Sequence, residues 1–472
     1  MTVMPRAVDK AENAETQAKL ISETLAGFVH GLSPAAIPAH VRERAKHLIL
    51  DATGIALASG RYDFAHKAMT AIAGLGGEGC VPVIGLPARL PPRDAALING
   101  ILVHGLDFDD THSGGIIHAT ASMWPTVMAT SYMRGASGAD LVTAYVAGIE
   151  SAIRLAAVGS GPFHQLGFHP TGLIGVFGCT LAAGTLMGLS PQALVSGQGI
   201  ALSMASGSME FLEDGVWTKR MHPGWAAQSG YRAARLAVGG FLGPRTVFEG
   251  THGLFHGFAR DPACDWSRLL GGFGEEWIMR TIAFKPYPCG TMAHPYIDCA
   301  LRLRAAGLAA ERVASILCET AEGFVHRLWE PIAAKRLPPN GYAAKFSIPY
   351  AVATALIHGE AGLSAFGDDA VSNEAVRTLS AKVGYVIDPD HPYPRSYTGH
   401  VRVTLDDGQV LEERQPHLRG GVAEPLTGSE IDAKFHANAL HGGWDRSRAD
   451  GAVTWVRKLF DAGEVDLSPW RG

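Results

Sequence analysis

Apolar residues recur three or four positions apart over most of the first 280 residues, the spacing of helices with one buried stripe. Ser33-Pro34 opens one such stretch, with Ala45, Leu48, Ile49 and Ala52 in register. Ser137 and Asp140 open another, with Leu141, Tyr145, Ile149 and Ala152 on one stripe, and Ser190-Pro191 opens a third. Each pairs a capping hydroxyl with a helix-tolerant first turn. Pro91-Pro92 starts a further helix carrying Leu97, Ile98, Ile101, Leu102 and Phe108. Continued through HGLDFDDTH, that helix places His104, Asp107, Asp110 and Thr111 on one face. Residues 81–84 read as a short strand in this otherwise helical region.

Between Leu155 and Met209 there is no Asp, Glu, Lys or Arg, and residues 171–189 are long enough to cross a bilayer. Their Gly, Ala, Thr and Ser content and missing aromatic or basic flanks favour a helix at the centre of a large domain instead. The character changes after Pro286. Residues 313–319 read as a strand and 346–358 as a helix, and 401–405 and 410–412 alternate around Asp407-Gly408 as a hairpin. Gly420-Gly421 and Pro425 form a linker, after which 429–440 and 448–460 return to helix. The pattern predicts a mainly α fold with an α+β insert. A frayed N-terminus covers 1–16, a large all-helical domain covers 17–284 and is completed by 425–472, and a smaller α+β lid domain covers 285–424. The segment AFKPYPCGTMAH at the lid's entry then lines the cleft between domains, a preferred place for ligands.

A chain of 472 residues buries a large core. With 18% charged residues and a net charge of -5 it has no general attraction for nucleic acid or an anionic membrane. An anionic substrate therefore requires positive charge gathered locally. Six dispersed cysteines with no CxxC argue against zinc and iron–sulfur sites and fit reduced thiols in a cytoplasm. No apolar h-region marks the N-terminus, so no signal peptide is expected. GLGGEG at 74–79 follows a helix and precedes a strand, the reverse of a dinucleotide fingerprint, and reads as a turn. Walker A, GxSxG and HExxH motifs do not occur.

The candidate chemistry lies in five segments. His104 to His112, with His118 just beyond, combines acids and imidazoles that are costly to desolvate at the end of an apolar helix. Helix capping and proton transfer both account for them. His169 sits in the charge-free stretch, at the start of a buried helix, where free N–H groups suit an anion. Lys219, Arg220 and His222 form a compact cationic turn among Trp217, Met221 and Trp225. Lys285 stands between Phe284 and a double-proline turn, and His294 starts a helix whose dipole favours the neutral imidazole. Lys345 heads the fifth segment, KFSIPY. Metal binding by His104, Asp107, Asp110 and His112 stays open by ligand type without predicting a geometry.

Taken together, HGLDFDDTH with His118, FHPTG, DGVWTKRMHPGWAAQSG, AFKPYPCGTMAH and AKFSIPYAVA resemble the MmgE/PrpD family, in the same order and over nearly the whole chain. The resemblance implies a cofactor-free homodimer with a helical domain built from both termini and an α+β lid. Its characterised members include 2-methylcitrate dehydratase, cis-aconitate decarboxylase and iminodisuccinate epimerase. In the decarboxylase branch the site residues match Asp107, Thr111, His118, His169, Lys219, Lys285 and His294. The lid tyrosine of that branch has no clear counterpart, with Phe324 or His326 falling nearest, and Ser113 to Ile117 replace a tryptophan- and proline-containing link.

The residues and the resemblance meet on one expectation. A di- or tricarboxylate is held in the cleft by Lys219, Arg220 and Lys285, with His222 beside them, and its α-proton is removed by Asp107 or a histidine. The preferred acid–base pair is His118 and His294, with His169 also catalytic and with Asp107 and Thr111 orienting a ring. The expected activity is that of a lyase, a dehydratase or decarboxylase without metal or cofactor. A dicarboxylate epimerase using the same site, a metal-dependent hydrolase using the His104–His118 cluster and a non-catalytic helical interaction protein are the alternatives.

Overall fold

The computed structural model describes residues 19–472 except 160, 262, 263 and 394, and of Arg268 it describes the backbone only. The frayed N-terminus expected over 1–16 lies outside the described residues. The molecule is mainly α with a small α+β part, organised around two separate hydrophobic cores. The larger is built from residues 21–284 together with 426–470, the smaller from residues 287–405.

The charge-free stretch forms the centre of the larger core. Helix Gly175–Leu186 is buried on every side as far as Gly184, packed among Ala119–Arg134, Gly138–Val158, Pro191–Leu202 and Thr218–Val238. Among the described residues the helix long and apolar enough to cross a membrane is Gly138–Val158, not 171–189. It is mostly buried inside the domain, where Arg154 pairs with Glu150 at 3.1 Å. Helix Gly428–His441 returns to pack on Ala39–Ser59, with Phe435 filling the space over Gly54.

Three local expectations are corrected. Ser33-Pro34 begins only the turn Pro34–Ala36, and the helix starts at Ala39, because Pro38 holds Ile37 extended. The turn expected around His222-Pro223-Gly224 is the interior of one helix, Thr218–Val238. Its missing Pro223 donor is outweighed by close packing on Pro92–His104, where Gly100 and Gly224 touch backbone to backbone. Helix Pro92–His104 itself stops before Asp107, so His104, Asp107, Asp110 and Thr111 do not share a helix face. The GLGGEG segment joins helix Asp63–Gly76 to the short strand Val81–Pro82, which pairs with Arg89–Leu90.

The lid carries a four-stranded sheet in the order Val383–Ile387, Val313–Thr320, Gly399–Leu405, Val410–Gln415. The first pair is parallel and the others antiparallel, with Cys318 opposite Val401 and Val401 opposite Glu413. Ile316, Cys318, Val401 and Val403 alternate onto the inner face, under helices His294–Ala305 and Ile348–His358. Ser347 caps the latter helix through the Tyr350 N–H. The two crossings between the domains are tied to each other, since the Phe284 N–H donates to the Gly420 carbonyl at 3.0 Å. Gly420 is left-handed (φ 88°), and a Cβ there would meet the Phe284 oxygen at 2.2 Å.

Candidate active site

The loop after helix Pro92–His104 is the centre of the site. Asp107 is left-handed (φ 54°), as is the β-branched Ile116 (φ 50°), and such backbone persists only where the surroundings over-determine it. The surroundings do so through a run of carbonyls, each taken by a cation from a different part of the chain. Arg220 Nε donates to the Gly105 oxygen at 2.8 Å, Lys345 Nζ to Leu106 at 2.7 Å, Lys285 Nζ to Asp107 at 2.9 Å and Lys434 Nζ to Phe108 at 2.9 Å. Orphan carbonyls beyond a helix C-terminus carry partial negative charge, which explains why cations collect there. The loop is also bridged to the lid crossing, Thr111 and Ala283 exchanging both backbone hydrogen bonds at 2.9 and 2.8 Å.

Asp107 turns its side chain into the same cluster. Its Oδ1 accepts from Lys219 at 2.6 Å and Lys285 at 3.2 Å. Burial would raise its pKa, but the two lysines outweigh burial and hold the carboxyl well below the usual range. Asp109 is likewise held down against burial by His104 and His118. Asp110 has no such partner. Burial, opposed by Thr120 and reinforced by Asp109 and Asp51, pushes it up to about 7.

Burial drives His118 and His169 toward the neutral imidazole. Burial takes His118 down to about 3 against the pull of Asp109, and it takes His169 well below its usual value, with His222 adding to the effect. His118 Nδ1 lies 2.8 Å from the Asp110 carbonyl, which can only accept, so the proton sits on Nδ1 and Nε2 carries a lone pair. Thr111 Oγ1 lies 3.2 Å from the same nitrogen. His169 Nδ1 meets His222 Nδ1 at 3.0 Å.

Asp107, Thr111, His118, His169, Lys219 and Lys285 line one cavity of about 130 Å³ between the two domains. Three other expected site residues are not on its wall. Arg220 has its guanidinium between the rings of Phe64 (4.3 Å) and Tyr342 (4.5 Å), in a neighbouring cavity of about 320 Å³. His222 stands behind His169. His294 is fully buried, its Nε2 on the Cys289 carbonyl at 3.2 Å and its Nδ1 unpartnered, with burial holding it at about 3. Neither Phe324 nor His326 is on the cavity wall: Phe324 packs on Tyr393 at 4.7 Å, and His326 is exposed.

The cavity wall adds residues that sequence reasoning missed: His164, Arg327 and Tyr397. Tyr397 comes from a proline- and tyrosine-rich loop, the one signal that could have drawn notice, while Arg327 and His164 have none. For a metal, two groups among the described residues offer ligand atoms within 4.8 Å, His104 with His118 and His169, and His104 with Asp107 and Asp109. Asp110 and His112 belong to neither, so the foursome considered from the sequence is not gathered. Lys219 and Lys285 sit on Asp107 in the second group and oppose a divalent cation there.

Comparison with known proteins covers nearly the whole chain. Residues 23–267 match the MmgE/PrpD N-terminal domain and 287–453 the MmgE/PrpD C-terminal domain. The cis-aconitate decarboxylase-like protein oryM of Aspergillus oryzae is 28% identical, over 94% of this chain and 96% of its own. The cis-aconitate decarboxylases of Mus musculus and Homo sapiens are 29% and 30% identical, each over 94% of this chain and over 91% and 92% of their own.

Proposed function

The chain belongs to the MmgE/PrpD family, and from that premise we propose that it is a lyase that removes carbon dioxide or water from a small di- or tricarboxylate, using only its own side chains. The observation that carries this reading is that Asp107, Thr111, His118, His169, Lys219 and Lys285, spread over 178 positions (107 to 285), line one buried cavity. The names of the relatives supply the reaction class.

In this reading a substrate carboxylate binds the free ammonium N–H groups of Lys219 and Lys285 and the Thr111 hydroxyl. When a neighbouring C–H proton or carbon dioxide leaves, its electron pair delocalises onto that carboxylate, and the lysines stabilise the added negative charge. His118 is the base, because its Nε2 lone pair faces the cavity while Nδ1 is committed to Asp110. An anionic substrate raises its depressed pKa toward working pH. His169 is the acid. The anionic substrate raises its pKa too, so it is loaded as the imidazolium, donating Nδ1–H to His222 Nδ1. It gives its Nε2 proton to the departing hydroxyl in dehydration, or to the carbanion carbon in decarboxylation, which leaves it neutral. Asp107 stays ionised and keeps the two lysines in place.

The test is incubation with a panel of small polycarboxylates in deuterated water, followed by NMR. Alkene or carbon dioxide from at least one acid is expected. Absence of both from the whole panel would overturn the reading, and deuterium entering an otherwise unchanged acid would move the protein to the epimerase class.

A further inference from the structure

We propose that Arg327, with His164 behind it and Tyr397 beside it, is a subsite for a second carboxylate, so that the substrate is a diacid with an apolar stretch between its anionic ends. The inference rests on the lyase reading and narrows its substrate.

Arg327 lies on the turn Val325–Trp329 of the lid and lines the cavity. One terminal nitrogen donates to His164 Nδ1 at 2.9 Å, and its Nε is buried without any partner. Among the described residues no carboxylate lies within ion-pair distance of it; the groups acting on its charge are the phenols Tyr393 and Tyr397. Among the described residues the other cations named around the site already have protein partners, and the remaining N–H groups of Lys219 and Lys285 serve the first carboxylate. Arg220, Lys285, Lys345 and Lys434 hold the loop carbonyls, and Lys219 holds Asp107. A partly buried guanidinium on an apolar wall is costly unless an anion meets it, and its free Nε beside a terminal N–H is the fork that takes a carboxylate in two hydrogen bonds.

His164 makes the arrangement workable. Burial and the neighbouring Arg327 hold it down to about 4, so it accepts from the arginine without adding a second positive charge. The two cationic ends are distinct in their partners: Lys219 and Lys285 bond to Asp107, whereas Arg327 bonds to His164. The wall around them is apolar, contributed by Met209, Phe211, Leu212, Met292 and Leu328. A chain of methylenes or a branched alkyl group suits that wall, and a hydroxyl-rich acid does not.

The test compares glutarate with pentanoate, equal in length and differing by one carboxylate, by isothermal titration calorimetry. Wild type is expected to bind glutarate about 10-fold or more tightly than pentanoate, the scale of a charged hydrogen-bonded pair. Arg327→Met should bring the two acids to within about 2-fold by weakening glutarate alone, and Arg327→Lys, which keeps charge but loses the fork, should fall between. A wild type without preference, a variant that keeps the preference, or equal weakening of both acids would overturn the subsite. If Arg327→Met does not fold, Arg327→Lys alone must lower the glutarate preference several-fold, and an unchanged preference is fatal. Loss of the lyase test with this preference intact removes the lyase reading only. Turnover with an Arg327-independent preference removes the subsite only.

Discussion

Asp107 bears several demands at once: an uncommon backbone angle, two lysines on one carboxylate oxygen, and a carbonyl that anchors Lys285. Asp107→Asn leaves two buried ammonium groups without a counter-charge. A loss of about 3–5 kcal/mol in urea unfolding is expected, together with loss of turnover. Asp110 behaves in the opposite way. Its folded pKa of about 7 lies above the unfolded carboxylate value, so the native state binds the extra proton and stability falls as pH rises from about 4 to about 7. Asp110→Asn removes that dependence and should be more stable than wild type at pH 8 by on the order of 2–4 kcal/mol, with little difference at pH 4. Equal pH profiles for the two proteins would contradict the assignment. At this scale the sequence showed which residue types carry the chemistry but not where they point. Lys219 and Arg220 are neighbours in one motif, yet one faces the cavity and the other is clasped by Phe64 and Tyr342. Arg327 has no motif at all, because its role comes from the apolar wall and empty charge around it.

Helices Pro92–His104 and Thr218–Val238 bring opposite sides of the site together, one ending at the loop of Asp107 and the other beginning with Lys219. Their separation is set where Gly100 and Gly224 meet, since a Cβ on Gly100 would lie 2.4 Å from the Gly224 Cα. Gly100→Ala must push the helices apart. We expect a loss of about 1–3 kcal/mol in thermal unfolding and a fall in turnover larger than the fall in stability explains, because the Asp107–Lys219 contact opens with them. Wild-type turnover in a folded variant would show that the helix spacing does not set the site. Element types were legible where periodicity was long, as in Gly138–Val158, or where turn chemistry was explicit, as at Asp407-Gly408. They were misread where proline and glycine served packing rather than a turn, as in His222-Pro223-Gly224.

The molecule as a whole is protected by neutral imidazoles. Burial holds His112, His164 and His222 near 4, and His118 and His294 near 3, and takes His169 well below its usual value. The unfolded chain protonates its histidines near pH 6.5. Between about pH 6.5 and 4 it therefore binds more protons than the native state, and stability falls as pH falls. Urea midpoints should drop steeply over that window, and a flat profile would mean that these side chains are hydrated in solution. The C-terminal return matters at the same scale. Lys434 on helix Gly428–His441 reaches both Asp51 at 2.8 Å and the Phe108 carbonyl, so this helix closes over the loop of Asp107. The sequence indicated that the tail turns back to helix, but its reach into the loop depends on three-dimensional proximity that no local pattern encodes.

The bond between Phe284 and Gly420 fastens the two crossings to each other, so a displacement of one is carried to the other. Entry of a reactant and exit of a product through the cavity between the domains then strain the same fastening, which couples the two passages. Gly420→Ala loosens that fastening, because its Cβ would lie 2.2 Å from the Phe284 oxygen at a left-handed angle, and stopped-flow traces of substrate arrival and product departure should shift together.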